Sequence, residues 1–255
     1  LLQRRREDKM TIFGHIKKFI LIFLKYASLV FFSLVAIIPL VSCVITAFKP
    51  DAEYNSTNVM TPPSSWLYFE NFVSAFKKAG MGRAFINSTI ILIAVLILSV
   101  FIGTQLAYVL NRFKFFGNTL IRNLFLVACQ LPGVAMQIAV YEMMYKLGFI
   151  NNMFGYILMT CGTDVISIYI YIQFFENIDY SLDESAIMDG ASYFTIFYRI
   201  LLPLLKPAIV TACILKGVGT YNEYYNANLY LQDKKRYATV ATSLYTFVGP
   251  LGSKY

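Results

Sequence analysis

The strongest constraint on this chain is the length of its uninterrupted apolar runs. Crossing a bilayer as a helix takes roughly 20 apolar residues. Five segments meet that demand, about Phe19 to Phe48, Ala84 to Leu110, Leu120 to Tyr145, Met153 to Phe175 and Pro203 to Leu231. The second contains the near-continuous stretch Ile90 to Ile102, the third is interrupted by Pro132-Gly133, and the fifth is rich in Gly, Asn and Tyr toward its end. Only 14% of the 255 residues are charged, against about 25% in ordinary soluble domains. The expected fold class is therefore an all-α integral membrane protein with five visible transmembrane helices. The first run is too long for a signal-peptide core.

Charge sets an orientation. The net charge of +8 reads as loop charge of a membrane protein rather than a nucleic-acid footprint. An inside N-terminus puts Arg4, Arg5, Arg6, Lys9, Lys17, Lys18, Arg112, Lys114, Arg122, Arg199 and Lys206 in the cytoplasm. The other face receives Lys49, Lys77, Lys78, Arg83, Lys234, Lys235, Arg236 and Lys254. The expected organisation is a cytoplasmic N-terminal segment 1–18, a transmembrane domain 19–231 with a cytoplasmic loop at about 177–202, and an extracellular segment 232–255. The amphipathic piece Phe69 to Phe76 suits a membrane surface. Cys43, Cys129, Cys161 and Cys213 lie in apolar segments without metal-ligand spacing and read as small packing residues. Leu40-Val41-Ser42-Cys43 loosely matches a lipoprotein cleavage box, but further spans follow it. His15 sits in a basic stretch and reads as solvated.

The loop after the fourth run carries the chemistry. Ser181 and Glu184 have capping-box spacing, so a helix is expected to start there, with Asp183 and Glu184 at its positive end. Gly190 suits the left-handed residue that ends a helix. A second short helix follows from about Ser192 to Arg199, and Pro203 suits the first turn of the fifth span. Ile187, Ala191, Phe194 and Tyr198 recur at helical intervals as an apolar ridge. The pattern predicts a helix–turn–helix knob that a soluble partner can grip. The plainer alternative is a helix lying in the headgroup layer.

This stretch resembles the EAA motif of ABC importer permeases. That motif runs Glu-Ala-Ala, three residues, Gly, nine residues, then Ile-x-Leu-Pro. Glu184-Ser185-Ala186, Gly190 and Ile200-Leu201-Leu202-Pro203 stand at those spacings. Asp189-Gly190-Ala191 and the pair Pro203 and Pro207 resemble the carbohydrate (maltose-type, second permease subunit) branch. Ser185 replaces an alanine, and Asp179 stands where many relatives have proline. Further likenesses are Asn87-Ser88, Ala107-Tyr108, Arg112-Phe113 with Gly117, and Leu147 to Asn151. Tyr221-Asn222-Glu223-Tyr224 resembles the family's Trp-Asn-Glu-Phe.

The resemblance implies a transmembrane permease subunit of an ATP-driven importer for a sugar or oligosaccharide, in a bacterial plasma (inner) membrane, multi-pass, N-terminus cytoplasmic. It implies as partners a second unlike permease subunit, two ATP-binding subunits, an extracellular solute-binding protein and the lipid bilayer, with no nucleic acid. It assigns coupling to Glu184, Ser185, Ala186, Asp189, Gly190, Ala191 and Phe194. It points to Tyr221, Asn222 and Glu223 as a substrate path. Within the knob, Glu184 and Asp189 are expected to orient it and Gly190 to fix its turn. ATP and Mg are expected on the partner, because the chain has no Gly-x4-Gly-Lys-Ser/Thr loop; no cofactor and no catalysis are expected of this chain. Relatives carry a sixth span, which implies a final crossing missing after the tail. A permease for a non-sugar solute, an ATP-independent secondary transporter or channel, and a scaffold are the alternatives.

Ionisable residues at membrane depth are functional candidates by default. Lys25 is expected to snorkel. Asp164 and Lys216 are expected to pair between spans four and five, or to line a pathway. Glu142 and Glu223 complete the set. Tyr141, Tyr145, Tyr169, Tyr171, Tyr221, Tyr224 and Tyr225 read first as interfacial and packing residues. Kinks are expected at Pro132-Gly133 and at Pro207.

Overall fold

Apolar helices supply their own backbone hydrogen bonds, so they are the economical way through hydrocarbon. The computed structural model is helical throughout its described regular elements. It describes residues 2–162 and 164–245, with the side chains of residues 2–17 and 134 excepted. His15, the cations before residue 18 and Lys254 thus lie outside the described side chains. The chain divides into two compact units, Leu1–Phe76 and Lys77–Tyr255.

The first unit holds helix α1 (Leu2–Ala47), helix α2 (Asp51–Ser56) and most of helix α3 (Glu70–Lys78). The apolar part of α1, Lys18–Ala47, is long enough to cross a membrane and almost wholly uncovered. Lys25 lies over the ring of Tyr26. Cys43 is exposed on helix α1. Beyond α1, the buried Lys49 gives its ammonium protons to Thr57 Oγ1 and the Asn58 carbonyl. Asn71 donates to the carbonyls of Ala47 and Lys49. The ring of Phe48 meets those of Trp66, Phe69 and Phe72.

The second unit is built around helix α4 (Met81–Arg112), a single unbroken helix. It packs on helix α7 (Met153–Gly162), helix α8 (Val165–Glu176) and helix α12 (Lys206–Asn222). Small residues make the approach possible: a Cβ at Gly103 would meet the Tyr171 ring at 3.0 Å. Helix α5 (Asn118–Gln130) and helix α6 (Gly133–Lys146) meet at Pro132 with a bend of 108°. This is a sharper break than the expected kink. Helices α7 and α8 bend by 44°. The loop after α8 contains helix α9 (Ser181–Met188). A continuous rod follows, from α10 (Tyr193–Thr195) through a π-helical stretch (Ile196–Leu201) to α11 (Leu202–Leu204). It turns by 70° into α12. Among the described residues two helices are long and apolar enough to cross alone, and the bent pairs raise the number to five.

Three expectations need correction here. The second limb of the knob ends at Leu204 rather than Arg199, because the wider π turn carries the helix past Arg199. Pro203 therefore lies inside this limb. Pro207 causes no mid-span kink: it occupies the first turn of α12, where a missing N–H costs nothing. Span five also stops at Asn222. Glu223 is extended, and a separate helix α13 (Tyr225–Tyr230) follows. The segment after it folds back as helix α14 (Lys234–Tyr237) and helix α15 (Val240–Leu244), both packed on α4.

Candidate functional site

The knob is assembled from local rules. Asp179 Oδ1 accepts the Ser181 N–H at 2.9 Å and so caps α9. That backbone hydrogen bond, helped by one from the Ser181 side chain, holds the Asp179 carboxyl below its ordinary value. The expected Ser181–Glu184 capping box does not form: Ser181 is already inside the helix and Asp179 supplies the cap. At the other end Gly190 has φ 78°. The Gly190 N–H reaches the Ile187 carbonyl and the Ala191 N–H reaches that of Ala186, each at 2.9 Å. These two bonds are a Schellman closure, which favours a residue without a Cβ at the left-handed position. Ser192 Oγ then accepts the Thr195 N–H and starts the second limb.

The two limbs sort their side chains by face. Ala186, Ile196, Phe197 and Leu201 are buried. They join Tyr108, Tyr171 and Phe175 in one cluster, with Ala191 packed at its margin. The opposite face exposes Ile187, Tyr193 and Tyr198, with Met188 87% and Phe194 76% exposed. Glu184, Ser185 and Asp189 are exposed. Of the residues expected to couple, Glu184, Ser185, Asp189 and Phe194 therefore present outward, while Ala186 and Ala191 turn toward the core. Among the described residues neither the Glu184 nor the Asp189 carboxylate has an ionic or hydrogen-bonding partner within the chain.

Two residues the sequence reading did not connect tie the knob to α4. Arg112, at the end of α4, lies 3.1 Å from Asp183 Oδ2, and both side chains are nearly excluded from solvent. Arg112 also donates to the Ile178 carbonyl at 2.9 Å and lies over the Tyr180 ring. Burial pushes the Asp183 carboxyl above its ordinary value against the opposing pull of Arg112. Desolvation thus outweighs the ion pair for the carboxylate. Ring contacts between Tyr108 and Phe197, and between Phe113 and Tyr193, tie the same two elements together. The available signal was charge beside each membrane exit, which does not say which charges meet.

Deeper in the membrane, Asp164 Oδ1 and Lys216 Nζ stand 4.0 Å apart, with Lys216 also donating to the Thr160 carbonyl at 2.8 Å. The expected pairing is present, and side chains only 11% and 16% exposed explain why it is needed. Glu142 instead pairs with Lys146 one turn away, at an exposed position. Tyr221, Asn222 and Glu223 gather at the end of α12. Asn222 donates to the Val218 carbonyl, and Glu223 Oε1 accepts the Asn226 N–H at 3.0 Å. Gly217 lets this helix approach Leu92 and Leu96 of α4. Cys161 is buried and Cys213 half-buried, as packing residues, whereas Cys129 is exposed.

The chain is similar to known proteins in sequence and in fold. Residues 99–247 match the family model described as binding-protein-dependent transport system inner membrane component. The diacetylchitobiose uptake system permease protein NgcG of Streptomyces coelicolor is 28% identical over 79% of this chain. The match spans 66% of that relative, just under two thirds of its length. The melibiose/raffinose/stachyose import permease protein MelC of Bacillus subtilis is 30% identical over 78% of this chain and 71% of its own. The maltodextrin transport system permease protein MalD of Streptococcus pneumoniae is 28% identical, over 88% and 79%. A crystal structure of a bacterial ABC transporter that imports the acidic polysaccharide alginate shares the fold. Its TM-score is 0.79 at 22% identity, covering 91% of this chain and 81% of that one. With more than half its length matched by the family model, the chain belongs to the inner membrane components of binding-protein-dependent transport systems.

Proposed function

We propose that this chain is a permease subunit of an ATP-driven importer of sugars or oligosaccharides. In this reading its Ile187–Phe194 knob takes force from a separate ATP-binding subunit. The carrying observation is the division of the knob into an exposed apolar face and a face tied to α4 by the buried Arg112–Asp183 pair. An exposed apolar patch of this kind suits a protein contact. Covering Met188 or Phe194 in a partner's groove would contribute about 1.5–3 kcal/mol each. Displacement of the knob passes through Arg112, Tyr108 and Phe113 into α4, and through the 70° elbow into α12. Both helices border the Asp164–Lys216 cluster and the Tyr221–Glu223 break.

The reading includes a second unlike permease, two ATP-binding subunits that hold ATP and Mg, and an extracellular solute-binding protein. It also includes a cytoplasmic N-terminus. Two of the named relatives are permease proteins for maltodextrin transport and for melibiose/raffinose/stachyose import, which supports a saccharide as cargo. Tyr221, Asn222 and Glu223 are the proposed path residues. The test is uptake and substrate-stimulated ATPase in proteoliposomes of the assembled complex, comparing the natural chain with Gly190→Arg. A Cβ at position 190 meets nothing within 4 Å but is strained at φ 78°, so the substitution both perturbs the knob's turn and projects a long cation into its contact. Loss of both activities with retained membrane insertion is expected. Retained uptake and stimulation would count against the coupling role.

A further inference from the structure

One cavity is not used by this coupling scheme. It encloses about 650 Å³ where the start of α4 meets α13 and the segment after it. Lys78, Arg83, Lys234 and Lys235 line it, with Tyr224 and Tyr245. None of these four cations forms an ion pair with a carboxylate among the described residues. Asp233, the nearest acid in sequence, spends Oδ1 on the backbone N–H groups of Lys235 and Arg236. Arg83 donates to the Lys235 carbonyl at 2.6 Å, and Lys234 to the Leu231 carbonyl at 2.8 Å. Carbonyls fix these two heads in place, while all four cationic side chains stay exposed to solvent. Partial desolvation lowers the Lys234 pKa. The positive end of the α4 dipole adds to the same field.

The other features fit a small polar ligand. Tyr224 and Tyr245 stack with centroids 3.8 Å apart, forming a flat wall. The volume falls in the range of ordinary ligand sites, about 300–1,000 Å³. A concave pocket favours a small ligand over the broad face of a protein. In the proposed orientation the cavity opens on the outer side, where retained lysines oppose the usual charge bias. Topology therefore does not account for them.

We propose that this cavity is an anion-accepting saccharide site, its ligand an oligosaccharide that carries carboxylate or sulfate groups. The inference rests on the importer reading and narrows its substrate class. Lys78 and Lys235 meet the anionic groups, Arg83 and Lys234 hold the field behind them, and the tyrosine wall takes a sugar face.

The test uses the whole transporter, with its ATP-binding subunits, in phosphatidylcholine nanodiscs. Binding of trigalacturonate is compared with that of maltotriose by calorimetry. Saturable binding of trigalacturonate but not maltotriose is expected. It should weaken by about tenfold in Lys78→Gln/Lys235→Gln, on the scale of two partly exposed charge contacts. Lys146→Gln, a cation outside the cavity, should bind the probe like the natural protein. Equal affinity in the double variant, or no binding at all, overturns the proposal. Two further outcomes also overturn it. One is displacement of the probe by phosphatidylglycerol nanodiscs, which assigns the cavity to lipid headgroups. The other is loss of affinity for the solute-binding protein while the probe still binds the double variant. A complex that responds to maltotriose and ignores trigalacturonate sinks this inference alone. A chain that purifies without an ATP-binding subunit sinks the importer reading instead, while probe binding still decides the cavity.

Discussion

Single residues carry the most exact consequences, and Arg112 carries the largest. Removing one member of a buried ion pair costs about 3–5 kcal/mol, because the other charge stays uncompensated. Arg112→Met leaves Asp183 buried without its counter-charge. The carboxyl already sits above its ordinary value, and the substitution removes the influence that lowers it. A carboxyl raised in the folded state favours the fold below its unfolded pKa and loses that contribution as pH rises through the folded value. Hydrogen-exchange protection of the knob in Arg112→Met should therefore fall from acid to neutral pH, after correction for intrinsic exchange. Pairing it with Asp183→Leu should restore protection and flatten the profile. An unchanged profile in the single variant would show that the pair does not anchor the knob. Asn87 is a second such residue. It donates to the carbonyls of Arg236 and Ala238 at 3.0 and 2.9 Å, while Ser88 Oγ accepts the Val240 N–H. Asn87→Ala strands the buried Ala238 acceptor at about 1–3 kcal/mol and frees the part-buried Arg236 carbonyl. Faster proteolysis near Arg236, with α4 intact, is the expected readout.

At the scale of elements, the knob depends on its first cap. Asp179→Ala removes the acceptor of the Ser181 N–H. Amide exchange at Ser181 should quicken, with no change at Ala191, whose bond belongs to the Gly190 closure. Because the Asp179 carboxyl is held low, its contribution is present above the ordinary aspartate range and disappears as pH falls through the lowered value. Equal protection of the Ser181 amide in both proteins would move the cap elsewhere. Much of this element was legible beforehand. Gly190 announced a left-handed stop, and the recurrence of Ile187, Phe194 and Tyr198 announced an apolar face. The cap was misassigned because Ser181 and Asp179 are both good capping residues, and spacing alone cannot choose between them. The elbow was misplaced for a different reason. A proline can bend a helix or begin one, and only the π-helical stretch before it moves the turn to Leu205.

For the whole molecule, the membrane crossings were readable because hydrocarbon tolerates little besides long apolar helices. The meeting of Arg112 with Asp183, and of Asn87 with Ala238, was not readable, since it depends on which helices lie side by side. Orientation is the global property most open to test. Phe194→Cys should react with a membrane-impermeant maleimide only in inside-out vesicles. Lys146→Cys should react only from the outside of intact cells. Reversed labelling would overturn the proposed topology and the coupling scheme together.

Among the described residues helix α4 is the crossing of its unit made by a single unbroken helix, with Arg83 near its first turn and Arg112 in its last. At 1.5 Å per residue its 32 residues measure about 48 Å. A pivot of about 5° around its midpoint carries each tip roughly 2 Å in opposite directions. Such a lever makes the two ends mechanically reciprocal. In the proposed scheme, a ligand at the Arg83 end that favours one tilt and a partner at the Arg112 end that favours the same tilt raise each other's binding affinity by the same factor, as linkage requires.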